Sequence, residues 1–147
     1  MEVRVVGLEE RDLLDEMLSS ATTHLGAHRG GAGLLEDVLG DRGPSGALSA
    51  LEDALGSTLG IIWVLGEANG FAIASRGQNA AWFTVWVDPD ARRQGGGSVL
   101  VETALSWLSD HDAEVIDSIA LPGDRHMKNL LEQAGFKARL LTLRREG

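Results

Sequence analysis

The sequence of 147 residues contains no cysteine, and it has no long apolar run. Without cysteine the chain cannot form a disulfide framework, a thiolate metal site or a cysteine nucleophile. No apolar segment approaches the length that spans a membrane, and the N-terminus has no signal-peptide pattern. We therefore expect a cytoplasmic protein that does not insert into membranes.

Basic residues are also scarce. Lysine and arginine together number 13 against 22 aspartates and glutamates, so the formal net charge is −9. Such a chain repels phosphate backbones, which argues against a nucleic-acid partner. The same field would attract cationic small molecules, although solubility explains it more simply. With 44% apolar and 24% charged residues, the composition is that of a single globular domain over residues 1–147.

The spacing of apolar residues alternates along the chain between the period of a strand and that of a helix. Three apolar runs are separated only by short turns, one containing Asn69-Gly70 and one at 76–79, which predicts an antiparallel meander. Residues 22–33 are rich in glycine and histidine and are predicted to form a loop. The predicted strands cover residues 2–6, 61–65, 71–75, 81–87, 115–121 and 136–143, and the predicted helices cover 9–20, 34–39, 46–55, 99–109 and 127–134.

A glycine-rich loop follows the third apolar run. After Val87-Asp88-Pro89 come Arg92, Arg93 and three consecutive glycines at 95–97, and then a helical pattern. Glycine lets the backbone approach a ligand closely, and the first amides of a helix have no partner within it, so an anion is favoured there. The two arginines add positive charge, which predicts a diphosphate site. A Walker loop is excluded because the chain has no Gly-Lys pair, and Leu100 stands where a dinucleotide fingerprint needs its third glycine.

The motif Arg92-x-x-Gly95-x-Gly97 resembles the acyl-coenzyme A loop of the GNAT acetyltransferase superfamily. The resemblance is specific from Ala81 to Phe136, where Asn129 to Phe136 resembles the closing motif of that superfamily. It implies an α+β fold with a central, mostly antiparallel mixed sheet of about six or seven strands flanked by helices. It also implies a V-shaped splay between the strand ending at Val87 and the strand Val115–Leu121.

By the same resemblance, the chain uses acetyl-coenzyme A as its cosubstrate. The acyl-pantetheine arm would lie in the splay and pair with backbone groups of Val85 and Val87, one of which would polarise the thioester carbonyl. The side-chain amide of Asn129 would contact the coenzyme A arm. The predicted cofactor-binding residues are Val85, Val87, Arg92, Arg93, Gln94, Gly95, Gly96, Gly97, Ser98 and Asn129.

The catalytic residues are harder to predict. Many members of the superfamily carry a general-acid tyrosine five residues before the phenylalanine of the closing motif. Here that position is Leu131, and the chain has no tyrosine at all. The remaining candidates for the acid are His126 and Ser98, although Ser98 also suits a phosphate contact at the helix start. Glu67 and Asp117 are candidate bases.

Two further histidines, His24 and His28, have the spacing of a metal pair on a helix. Gly26 between them argues against a helix, and no third ligand is evident, so we expect no metal site. Trp86 alternates with its two valine neighbours on the third apolar run and could line an acceptor pocket.

The predicted function is transfer of an acetyl group to a primary amine by direct attack in a ternary complex, which needs no enzyme nucleophile. The acceptor would be a small molecule or a peptide, and a homodimer is common in the superfamily. The alternative, favoured by the missing tyrosine, is a weakly active or inactive module that binds coenzyme A for a regulatory or interaction role.

Overall fold

Five strands form one mixed sheet in the order β1-β2-β3-β4-β5. The computed structural model describes residues 2–56, 58–77 and 80–147, so residues 78 and 79 of the predicted second turn lie outside the described residues. The strands are β1 (Val3–Val6), β2 (Leu59–Leu65), β3 (Gly70–Arg76), β4 (Ala81–Val87) and β5 (Ile116–Asp117). The α-helices are α1 (Arg11–Gly26), α2 (Gly31–Leu39), α3 (Ala47–Gly56), α4 (Gly96–Asp110) and α5 (Arg125–Gln133).

The predicted meander is confirmed. Strand β2 pairs antiparallel with β3 through all seven residues, and β3 pairs in the same way with β4. Strand β1 pairs antiparallel with β2, whereas β4 and β5 run parallel. The α+β fold is therefore as expected, but the described residues form five strands rather than six or seven.

Each face of the sheet packs against its own helices. One face holds Val85 and Val87 of β4 against apolar residues of α4 and α5, including Leu100 and Leu130. The other face holds Trp86 and β2 and β3 residues against apolar residues of α1 and α3. Because successive strand residues point to opposite faces, β4 contributes to both cores.

The two strands predicted near the C-terminus differ from expectation. The segment 115–121 pairs only at Ile116 and Asp117, and its apolar residues Val115 and Ile119 are 74% and 52% exposed. The segment 136–143 has no regular structure. An apolar alternation needs a neighbouring strand to pair with, and neither segment finds one over most of its length.

The predicted loop at 22–33 is mostly helix. Helix α1 continues to Gly26 and α2 begins at Gly31, so only residues 27–30 connect them. Glycine at the last helical position carries little penalty, and burial of Ala21 against the sheet holds this end of α1. Gly26 therefore does not exclude a helix at His24.

No helix in the described ranges is long and apolar enough to cross a membrane.

Candidate active site

The splay predicted between β4 and β5 is present. Their pairing stops after Ala81 with Ile116 and Trp82 with Asp117. The next link is a side-chain bond, in which the Ser118 hydroxyl donates to the Phe83 carbonyl oxygen over 2.8 Å. Beyond Phe83, the described residues place no strand along this edge of β4. The edge is therefore open from residue 84 to residue 87, next to the start of the glycine loop.

The glycine loop leads into the N-terminus of α4 as expected. Gly95, the N-cap of the helix, has a φ of 80°, and an added Cβ would find open space around it. Arg93 has a φ of 72°, which is uncommon for a residue with a side chain. Arg93, Gln94 and Ser98 are exposed. The loop therefore presents exposed polar side chains beside helix amides that have no partner within α4.

The next two glycines lie in tightly packed positions. A Cβ on Gly96 would overlap the Cδ2 atom of the fully buried Leu65. A Cβ on Gly97 would lie 3.0 Å from Leu130 Cδ2 and 3.7 Å from Val87 Cγ2. Both glycines are buried and let α4 lie close to the sheet and to α5.

Arg92 folds back toward the sheet. Its Nε donates to the carbonyl oxygen of Val87 over 3.3 Å, and its side chain is half-buried. The guanidinium charge therefore lies at the C-terminal end of β4, at the open edge of the strand.

His24 of α1 and His28 of the connection that follows it lie near the same strand end. The indole Nε1–H of Trp86 donates to Nδ1 of His24 over 3.4 Å. The ring of His24 contacts that of His28 edge-on, with ring centroids 4.8 Å apart. A Cβ on Gly123 would lie 3.7 Å from His28 Nδ1, so the segment before α5 packs against this corner.

His126 lies in the first turn of α5. Its Nε2 is buried without a hydrogen-bond partner in the described structure, and the same holds for Nε2 of His28. Asp124 is 6% exposed and caps α5 by accepting a hydrogen bond from the Met127 amide over 3.1 Å. The charges of Arg92 and Asp124 act on both His24 and His126, and we call His24, His28 and His126 the histidine cluster.

The environment holds two imidazoles of this cluster neutral. Burial lowers the pKa of His126 below its ordinary value of 6.5, the Arg92 charge lowers it further, and Asp124 opposes both. Burial also lowers the pKa of His24, followed by the charges of Arg92 and His28, against the raising effects of Asp124 and Asp88. Both rings are therefore proton acceptors or neutral donors at pH 7 rather than acids.

The other predicted site residues lie outside this cluster. Asn129 is exposed on α5, and Leu131 is buried in the core. Glu67 is exposed in the turn between β2 and β3. Asp117 on β5 forms an exposed ion pair with Arg139 over 3.4 Å, at the paired end of the splay. Asp117 therefore lies at the opposite end of the splay from the open edge of β4.

The sequence analysis considered His24 and His28 as a possible metal pair, and it did not include Asp124 among the candidate site residues. Within the described part of the chain, no three His, Cys, Asp or Glu side chains are grouped as a metal would need. The convergence of His24 and His126 depends on contacts between residues about a hundred positions apart in the sequence, which local periodicity does not report. The available signal was the histidine content of the two segments adjoining the predicted splay.

Solved structures with the same fold cover nearly the whole chain. A tetramutant of a protein from Bacillus halodurans has a TM-score of 0.73 at 12% identity, over 99% of both chains. A predicted acetyltransferase from Clostridium acetobutylicum, solved with acetyl-CoA, has a TM-score of 0.69 at 12% identity, over 97% of this chain and 95% of that one. A GCN5-related N-acetyltransferase from Ralstonia eutropha has a TM-score of 0.69 at 16% identity, over 99% and 97%.

At such identities these likenesses concern the fold alone. No curated protein matches the chain significantly. The sequence model of the Acetyltransferase (GNAT) family, however, matches residues 16–136, which include the glycine loop, the histidine cluster and the open edge of β4. The chain therefore belongs to the GNAT acetyltransferase family.

Proposed function

We propose that this protein is an N-acetyltransferase that transfers the acetyl group of acetyl-coenzyme A directly to a primary amine. The open edge of β4 carries the proposal. It runs from the splay to the glycine loop, and the histidine cluster lies beside it. A thioester bound along this edge would have its diphosphate near the start of α4 and its acyl-pantetheine arm in the splay.

The residues at the loop fit coenzyme A. The exposed side chains of Arg93, Gln94 and Ser98 surround amides at the helix N-terminus, and open space lies next to Gly95. Amides and arginine together favour a diphosphate. Backbone groups of Val85 and Val87 on the open side of β4 would pair with the pantetheine amides, and Asn129 on the exposed face of α5 would contact the arm.

The chemistry requires a neutral amine, which attacks the thioester carbonyl and displaces the thiolate. His126 is the proposed acceptor of the ammonium proton, because its ring is neutral and half-buried. The imidazolium formed in this way can protonate the departing thiolate, so that one residue supplies both proton transfers. This route needs no tyrosine at position 131. Ser98 or water is the alternative proton source.

The test is a thiol-release assay with acetyl-coenzyme A and a panel of primary amines, with mass spectrometry of the acetylated product. We expect amine-dependent release and a loss of about 10²- to 10⁴-fold in kcat for His126→Gln. An exposed neighbour provides the matched control, since Lys128→Gln on the same helix should keep the wild-type rate. An unchanged rate for His126→Gln across pH would remove His126 from the mechanism.

A coenzyme A-binding module without turnover is the second candidate, because buried Leu131 stands where the family often has its acid. Calorimetry of coenzyme A binding, combined with the thiol-release assay, distinguishes the two functions. Tight coenzyme A binding with no release for any amine would favour the module, whereas measurable turnover would exclude it.

A further inference from the structure

Arg92 has donor groups that nothing in the described structure uses. Its Nε is fixed on the Val87 carbonyl oxygen, and the two η nitrogens make no hydrogen bond or ion pair with the described residues. A guanidinium fixed at one nitrogen still offers its outer N–H groups in a planar arrangement that matches a carboxylate.

His24 offers a second donor. Its Nδ1 accepts the indole hydrogen bond from Trp86, so the neutral ring carries its proton on Nε2. The Nε2 atom of His24 makes no hydrogen bond to the described residues, and it is not fully buried. It therefore reaches solvent. With Nδ1 occupied, His24 is a donor rather than a base.

The two donors are fixed by consecutive residues of one strand. Trp86 holds His24 on the face that packs against α1, and Val87 holds Arg92 at the open edge, both at the C-terminal end of β4. The nearby carboxylates are partly engaged, since one oxygen of Asp88 accepts from the Asp90 amide and one oxygen of Asp124 accepts from the Met127 amide. Of the neighbouring charges, that of Arg92 acts most strongly on His24.

We infer that Arg92 and His24 bind a carboxylate, and that the acceptor is an amine which also carries one, as amino acids do. The inference rests on the proposed function, because it names the acceptor class at the same site. Arg92 and His24 would then determine specificity, with Trp86 as a positioning residue that fixes the His24 tautomer. His126 remains free to accept the amine proton.

The experiment compares matched acceptors. Natural amino acids and the corresponding amino acid amides present the same amine with and without the carboxylate. Amides have the more acidic ammonium groups, so a preference for the acids cannot come from amine ionisation. We expect kcat/KM for the preferred acid to exceed that for its amide by about 10- to 100-fold, the range of a hydrogen bond to a charged group.

Variants assign that preference to residues. Arg92→Gln should lower kcat/KM for the acid by about 10- to 100-fold more than it lowers kcat/KM for the amide. Arg93→Gln removes the same charge one residue away, and it should affect both acceptors equally by weakening coenzyme A binding. His24→Gln keeps a donor at the Nε2 position and should retain more discrimination than His24→Leu. Trp86→Phe removes the indole donor and should raise KM for the acid.

A binding measurement keeps the inference testable if no amine is acetylated. The indole N–H signal of Trp86, assigned from the spectrum of Trp86→Phe, is followed by ¹H–¹⁵N NMR while amino acids or their amides are added. Shifts with an acid but not with its amide, lost in Arg92→Gln, would support the carboxylate site even without turnover. Equal turnover of acids and amides, or equal losses for both in Arg92→Gln, would overturn it while leaving the N-acetyltransferase proposal intact.

Discussion

At the residue scale, protonation of His24 and His126 couples the site to pH. Both pKa values are lowered, chiefly by burial and then by Arg92. The unfolded chain therefore binds more protons than the folded one once the pH falls below about 6.5. The contribution of these two histidines to the free energy of unfolding should be nearly constant above pH 7. The free energy of unfolding should fall as the pH decreases below 6.5.

Urea unfolding between pH 5.5 and 7.5 checks this prediction. The double variant His24→Gln/His126→Gln should show a smaller loss of stability over that interval than the wild-type chain, with both normalised to their values at pH 7.5. The activity should decline over the same acidic range, because protonated His126 can no longer accept the amine proton. A wild-type stability that rises on acidification would contradict the lowered pKa values.

At the element scale, the close approach of α4 to the sheet depends on Gly96. The side chain added by Gly96→Ala must displace Leu65, which is fully buried. Overpacking of this kind costs about 1–3 kcal/mol, which exceeds the gain of up to about 1 kcal/mol from replacing a helical glycine by alanine. We expect a lower urea midpoint for Gly96→Ala.

Ser98→Ala, on the same turn but exposed, is the control and should change the stability by less than about 0.5 kcal/mol. Leu65→Val should partly relieve Gly96→Ala, so the effects of the two changes should not add. An unaltered urea midpoint for Gly96→Ala would contradict the packing role of this glycine and leave only its predicted role in ligand binding.

The same elements show what the sequence could reveal. The meander was predictable because β2, β3 and β4 are joined by short turns, so local spacing determines their pairing. The position of the glycine loop was predictable for a similar reason. The packing role of Gly96 was not, because Leu65 is distant in sequence. The length of β5 was not predictable either, since it depends on where β4 and β5 separate rather than on the apolar pattern at 115–121.

At the scale of the whole molecule, the segment after Phe136 is nearly independent of the core. Phe136 itself packs edge-on against Phe83, with ring centroids 5.5 Å apart. Residues 137–147 are exposed and have no regular structure, and Leu140, Leu141 and Leu143 are 76%, 68% and 83% exposed. In the described structure, their ion pairs to the rest of the chain are those of Arg139 with Asp117 and Arg144 with Asp37.

We therefore expect a chain that ends after Phe136 to keep its fold and its affinity for coenzyme A. Each exposed ion pair contributes at most about 1 kcal/mol, so the free energy of unfolding should fall by no more than about 2 kcal/mol. Urea unfolding and calorimetry of both chains at one concentration give the comparison. Sedimentation of the same samples tests the predicted homodimer, because self-association changes apparent stability.

A Phe136→Ala variant of the full chain is the contrasting case. Loss of a ring packed on Phe83 should destabilise it more than removal of all the residues that follow. The opposite order would mean that residues 137–147 contribute to the core as the strand predicted from their apolar alternation.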